Sequence, residues 1–197
     1  MTPPAEFVVV DVETSGFDPA AARVLSVAAL VVAADGDATL TTTGALHTLL
    51  NPGVDPGPTN IHGLTPAMLA GQPRYADIAA DLAALLRGRI LVAHNAGFDY
   101  AFLAAEARRA GTELSVTAVL CTLELASQLH LGLDSLSLAA LAGHWNIPQA
   151  RPHDALDDAR VLTHVLRHTL TRADELAVTL PIRPPSTLPP LTFPAAA

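Results

Sequence analysis

The chain has 197 residues, with 19 acidic and 11 basic side chains and a formal net charge of -8 at pH 7, and every basic residue in it is arginine. This length suits one compact domain with a real core, and the charge balance excludes a broad basic surface that holds nucleic acid through counterion release. An anionic substrate would have to be met by a few arginines or by bound metal.

Half of the residues are hydrophobic and only 4% are aromatic, a globular composition whose core rests on Ala, Val and Leu. The longest apolar stretch, 24–34, is broken only by Ser26 and is too short to span a bilayer, so no membrane association is expected. The N-terminus lacks the basic start and apolar run of a signal peptide, and the single Cys121 can make no internal disulfide. Together these features lead to the expectation of a cytoplasmic protein.

Residues 7–12 are β-branched and unbroken, which predicts a strand buried on both faces. Two more β-rich runs, 24–33 and 39–50, flank the turn signal Asp35-Gly36-Asp37 and predict an antiparallel meander of the first three strands. Pro and Gly crowd 51–60, a loop by composition. From about Ala76 the apolar spacing becomes helical through Ile78, Leu82, Leu85 and Leu86, with a stop at Arg87-Gly88. Residues 90–93 read as a short strand, and a helix follows over 97–109, stopped by Gly111. Further helices are predicted over 122–129, 135–142 and 155–170. Strands first and strand-helix alternation afterwards give an α/β fold, a mixed β-sheet flanked by helices. The pattern fades after Arg172, so 1–172 is expected to form the domain and 173–197 a proline-rich C-terminal tail.

Acidic residues gather at three element ends. In the strand 7–12 and its continuation, Asp11 and Glu13 are two apart and share one face while Val10 and Val12 share the other. Carboxylates side by side at the end of a buried strand repel each other unless a cation lies between them; a strand that simply ends in solvent would also account for them. The run His94-Asn95-Ala96-Gly97-Phe98-Asp99 follows the strand 90–93; Asn95 is a good helix N-cap, and Asp99 then sits in the first turns, where the helix dipole favours a negative group. The third run is His153-Asp154-Ala155-Leu156-Asp157-Asp158. If Asp154 caps a helix starting at Ala155, His153 and Asp158 occupy the positions that meet in a hydrophobic staple. Capping alone would explain the second and third runs taken singly. Jointly, carboxylates delivered by three elements with one neighbouring histidine suit a pair of hard divalent ions about 4 Å apart, magnesium or manganese rather than zinc. Phosphoryl transfer to water is the chemistry such a site performs best.

These residues resemble the DnaQ-like DEDD exonucleases, whose best-known member is the proofreading epsilon subunit of the bacterial replicative DNA polymerase. Asp11-Val12-Glu13-Thr14-Ser15-Gly16 is similar to the first exonuclease motif, 94–99 to the second and 153–158 to the third, so the resemblance runs from Phe7 to about Leu170. It implies an RNase H-like fold, two divalent metal ions (Mg2+ or Mn2+) held by Asp11, Glu13, Asp99 and Asp158, and His153 as general base. Position 154, tyrosine in a sister group, is aspartate here, which favours the histidine (DEDDh) type; the spacing from the histidine selects Asp158 over Asp157. Asn60-Ile61-His62-Gly63-Leu64-Thr65 resembles a segment that contacts the 3′-terminal nucleotide, through Ile61 and His62. Val12, Thr14, His94, Asn95 and Phe98 match positions that line that nucleotide in relatives. Where many relatives carry an aspartate before a threonine, this chain has Cys121-Thr122.

The implied activity is metal-dependent 3′ to 5′ hydrolysis of DNA to nucleoside 5′-monophosphates, in proofreading or repair, with a single-stranded or frayed 3′ end as partner. RNA is the alternative substrate, because the two polymers differ at a 2′-hydroxyl read by few contacts. A catalytically silent module that binds nucleic-acid ends or a polymerase is the alternative from another class. In the resembling proofreading subunits the C-terminal segment docks on the DNA polymerase; the tail here, with Leu188, Leu191 and Phe193 among prolines, matches no known docking sequence.

Overall fold

The computed structural model describes residues 6–34 and 40–191, which build a six-stranded sheet in the order β3-β2-β1-β4-β5-β6. The turn at Asp35-Gly36-Asp37 and Phe193 lie outside the described residues. The meander is β1 (Glu6–Thr14), β2 (Val24–Ala34) and β3 (Leu40–Leu49), antiparallel throughout. Against the other side of β1 lie β4 (Ile90–Ala93) and β5 (Ala118–Cys121), both parallel to it, and then β6 (Ile182–Arg183), antiparallel to β5.

Both faces of β1 are covered, which is why its sequence is continuously apolar rather than alternating. Val8, Val10 and Val12 face a core shared with α3 (Tyr75–Leu86) and α4 (Ala96–Arg109). Phe7 and Val9 face a second core, shared with α5 (Thr122–Gln128), α6 (Leu138–His144) and α7 (Ala155–Glu175). The period of two therefore sends Asp11 and Glu13 to the α7 side of the sheet. Because β1 and β4 are parallel neighbours from which the chain departs to opposite edges, a crevice opens at their C-terminal ends.

Several elements differ from the sequence expectation. The proline-rich loop 51–60 contains the start of α1 (Thr59–His62), and α2 (Pro66–Leu69) follows, its N-cap Thr65 accepting from Met68 N. Single helical turns are too short to show a hydrophobic period. The four-residue β5 was hidden for the same reason and is placed by its pairing with β4. α6 starts after Ser137, whose hydroxyl accepts from Ala140 N at 3.2 Å, rather than at 135. α7 continues to Glu175, past the expected end at 170, since Ala173 still packs in the core. No described helix is long and apolar enough to cross a membrane.

Candidate active site

The C-terminal end of β1 carries Asp11 and Glu13 into the crevice, and its pairing with β2 shifts register between Glu13 and Thr14. Such a bulge bends the strand and ends its pairing. The turn that follows is tied down: Thr14 Oγ1 donates to Gly16 O at 2.7 Å, and Ser15 N donates to Arg23 O at 2.9 Å. The loop before α1 rests directly on this turn at Gly57, with φ of +77°, where an added Cβ would lie 2.2 Å from Ser15 O. Only glycine fits there.

α4 starts at the end of β4 and brings in Asp99, which is buried. Asn95 stands at the N-cap but in the left-handed conformation, φ 69°, and its side chain makes no capping bond. The expectation of a capping Asn95 is therefore corrected: the backbone turn starts the helix and the exposed amide is left free. Asn tolerates this region better than most residues.

The start of α7 is built as its spacing suggests. Asp154 caps it, accepting from Asp157 N at 3.0 Å. Asp158 is buried, with Oδ2 accepting from His153 N at 3.0 Å and Oδ1 from Gln149 Nε2 at 2.7 Å. Asp157 turns away to accept from Arg151 N at 2.6 Å. The exposed His153 has φ of 64°. Ligand atoms of Glu13, His153 and Asp158 all lie within 4.8 Å of one another, the arrangement of a metal-binding group.

The electrostatics of the cluster call for a cation. Burial, then the neighbouring Asp99, Glu13 and Asp158, hold the Asp11 carboxyl well above its ordinary range. Burial pushes Asp99 up to about 8, against the pull of the nearby Val12 and Asp99 backbone N–H groups, and burial with the charges of Asp158 and Asp154 pushes Glu13 to about 7. Asp158 is raised by burial too, with the Gln149 and His153 bonds pulling it back. Carboxylates that resist ionisation beside one another are the donor set of a hard divalent ion, whose charge replaces the protons they would otherwise keep. The residues present fit such an ion.

Around the acids, the expected nucleotide-lining residues divide. Ile61 is exposed, and Phe98 is half-buried with its ring centroid 4.7 Å from that of Phe102. His62 is buried, its Nδ1 accepting from Leu64 N at 3.0 Å and its Nε2 facing Pro56 O at 3.2 Å, so both ring nitrogens are used in shaping the loop. Burial lowers its pKa, as it does for His94. His94 Nδ1 lies 3.0 Å from Thr122 Oγ1, and its ring also meets the Leu136 backbone. Both histidines are thus bonded within the domain's own framework. Gln149 and Thr122 were not foreseen. Neither belongs to an acidic run, and only their contacts with Asp158 and His94 reveal them.

The RNase_T exonuclease family model matches residues 8–166, which include every one of these acids. The chain belongs to the exonuclease family. As a member it is a nuclease-class hydrolase with an RNase H-like fold, as the sequence motifs implied. A Mycobacterium tuberculosis (strain CDC 1551 / Oshkosh) protein named as a bifunctional exonuclease/endonuclease is 35% identical over 181 residues, 87% of this chain and 27% of that protein. The DNA polymerase III subunit epsilon of Treponema pallidum (strain Nichols) is 30% identical over 159 residues, covering 79% of this chain and 72% of the subunit. The solved structure of Exonuclease X in complex with 5′ overhanging duplex DNA superposes with a TM-score of 0.66 at 25% identity, over 85% of this chain and 93% of that one. This exonuclease domain spans about a quarter of the first relative, 27%, but most of the epsilon subunit.

Proposed function

We propose that the chain is a metal-dependent 3′ to 5′ exonuclease that removes nucleoside 5′-monophosphates from a single-stranded or frayed 3′ end of DNA, in proofreading or repair. The observation that carries this reading is the convergence of Asp11, Glu13, Asp99 and Asp158 from three elements beside an exposed histidine, within an exonuclease-family fold. The DNA in the complex of the similar exonuclease and the polymerase-subunit name of the epsilon relative favour DNA over RNA and a replication or repair setting.

In this reading Asp11, Glu13, Asp99 and Asp158 would hold two divalent ions, magnesium or manganese, which when bound neutralise the phosphodiester and polarise the attacking water and the leaving oxygen. His153, exposed at the rim, takes the proton of the water as general base. The Asp158 carboxylate accepts from the His153 backbone N–H and so fixes where the imidazole projects. Ile61, Phe98, Thr14 and the backbone at Val12 frame the terminal nucleotide. His62 and His94 act by holding the segments that carry these contacts.

The test is release of mononucleotides from matched single-stranded DNA and RNA of equal length, with Mg2+ or Mn2+ and with a chelator. Metal-dependent shortening of DNA from the 3′ end is expected; faster turnover of RNA would move the proposal to an exoribonuclease, and absence of hydrolysis with metal bound would move it to a silent binding module. Docking of the C-terminal segment on a polymerase is read by co-purification before and after deletion of 181–197.

A further inference from the structure

The far end of α7 builds a second cavity, and this one is basic. Arg172 stands about 21 Å beyond Asp158 along the helix at the usual rise per residue, so the cavity is remote from the acidic cluster. It measures about 340 Å³ and is lined by Leu129, His130, Leu131, His144, Trp145 and Arg172. Three helix ends supply these residues: Leu129 closes α5, His144 and Trp145 close α6, and Arg172 lies in the last turn of α7. The Trp145 indole packs against the α7-side core, stacks on the His168 ring at 5.2 Å with 8° between the planes, and meets the His144 ring edge-on at 5.2 Å. Packing therefore fixes the indole in place.

Basic side chains at helix ends ordinarily serve the last carbonyls. Here the backbone does that itself: Ile147 N donates to Ala142 O and Val178 N to Ala173 O, both at 2.8 Å, around the left-handed residues Asn146 and Ala177. Among the described residues no hydrogen bond engages the ring nitrogens of His130 or His144, and both side chains are exposed. Arg172 pairs with Glu175 at 2.8 Å, but the two side chains are 47% and 55% exposed, and such a pair exchanges readily for another anion. Behind the indole, His168 Nε2 accepts from Arg167 Nη2 at 3.0 Å, and the charges that bear on its ring, those of Arg167, His164 and His144, are all basic. A chain of net charge -8 thus concentrates cations around its only tryptophan. Two leucines and an indole rimmed by two imidazoles and a guanidinium match a ligand that joins a flat ring to a phosphate: the ring gains stacking on the aromatic, and the guanidinium fork suits two phosphate oxygens. The volume is that of a small-ligand site, more than a bare anion needs.

We propose that this cavity is a nucleotide-binding site separate from the acidic cluster, in which the base packs against Trp145 and the phosphate is held by Arg172, His144 and His130. It rests on the nuclease reading only for the source of the nucleotide, either a released nucleoside 5′-monophosphate or a nucleotide within a bound strand. Because Trp145 is the only tryptophan, its emission reports occupancy of this cavity, and EDTA keeps hydrolysis out of the measurement. Thymidine 5′-monophosphate should change that emission saturably with a Kd below about 1 mM. Thymidine and inorganic phosphate, each half of the ligand, should need concentrations about tenfold higher or more. Arg172 and His144 are exposed, so Arg172→Gln and His144→Ala should each raise the Kd about tenfold at an unchanged melting temperature, while Asp158→Asn should leave the Kd as it is. An oligothymidylate of about eight nucleotides that binds more tightly than the monophosphate assigns the site to a bound strand, and one that binds no more tightly assigns it to the free nucleotide; either supports the site. Emission that responds to neither probe, or a response that both substitutions leave intact, would overturn it, as would a Kd that changes with Asp158→Asn instead. Saturable binding by a protein that hydrolyses no oligonucleotide once Mg2+ is restored supports the site and counts against the nuclease alone. Hydrolysis beside an unresponsive Trp145 overturns the site and leaves the nuclease standing.

Discussion

Arg23 and Glu106 form a bidentate ion pair, Nε to Oε1 at 2.6 Å and Nη2 to Oε2 at 2.9 Å, that joins the start of β2 to the interior face of α4. Glu106 is 1% exposed and also accepts from Val24 N at 3.2 Å and Arg109 Nη1 at 3.3 Å. The arginines in turn donate to loop carbonyls, Arg23 to Pro52 O at 2.8 Å and Arg109 to Pro19 O at 2.6 Å. One buried carboxylate thus anchors the turn after the first acidic pair, the loop that leads to Ile61 and His62, and the helix of Asp99.

Removing Arg23 strips the buried Glu106 carboxylate of its two shortest hydrogen bonds and leaves it only the longer contacts to Arg109 and Val24 N, a cost of about 3 kcal/mol. Arg23→Ala is expected to lower the melting temperature by about 6 °C or more, at roughly 2–4 °C per kcal/mol for a chain of this size. In variant protein that remains folded, KM should rise more than kcat falls, because the pair holds the segments proposed to frame the nucleotide and touches no reacting atom. Thermal melts and steady-state kinetics check this; a fall confined to kcat would contradict it.

The carboxylates of the cluster make stability depend on pH in an unusual direction. Asp99 at about 8 and Glu13 at about 7 lie above the ordinary carboxyl range near 4, so the metal-free native state keeps protons that the unfolded state has released. Stability is then full below about pH 4 and is lost as pH rises through 7 and 8, the reverse of a salt-bridged acid. With EDTA present, the contribution of these groups should lower the melting temperature between about pH 5 and pH 8; with Mn2+, binding to the ionised cluster should raise it, increasingly so at higher pH. Asp99→Asn should melt higher than the parent in EDTA at pH 8 and lose most of the gain from Mn2+. A parent whose metal-free stability rises across that range, apart from the titration of its surface groups, would contradict the burial of these charges.

The motif acids and the long elements were legible because each has a local signature: β1 by its unbroken β-branched run, α7 by its cap and apolar period. The partnership between Arg23 and Glu106 spans 83 positions, and nothing in either neighbourhood announces it. β5 and β6 were illegible for a related reason, being strands of four and two residues that exist through pairing. His62 and His94 match nucleotide contacts through the resemblance of their segments; three-dimensional packing adds what sequence could not, partners within the chain for both ring nitrogens of His62 and for Nδ1 of His94.

His153 presents a different balance. Its ring is exposed and its backbone, not its imidazole, donates to Asp158. His153→Ala should therefore leave the melting temperature nearly unchanged while lowering kcat about 10²- to 10⁴-fold, the range for loss of a general base. Asp158→Asn should abolish hydrolysis and weaken Mn2+ binding as well. Calorimetric titration with Mn2+ distinguishes the two, and a histidine variant with full activity would remove the base from the mechanism.

Gln149 offers the finest test of the site, because it acts through an acid rather than on substrate. Its amide donates to Asp158 Oδ1 at 2.7 Å and holds the carboxyl pKa down against the effect of burial. In Gln149→Ala that donor is gone, so Asp158 should keep its proton to higher pH and compete less well for the metal. The acid limb of the activity profile should move upward, the Mn2+ concentration for half-maximal rate near pH 7 should rise by about tenfold at most, and activity should recover toward the parent at higher pH. Gln149→Glu would place a second carboxyl against Asp158 and push the limb further in the same direction. A loss of rate that is the same at every pH would show that Gln149 only supports the loop before α7, whereas a pH-dependent loss identifies it as the residue that keeps Asp158 ionised.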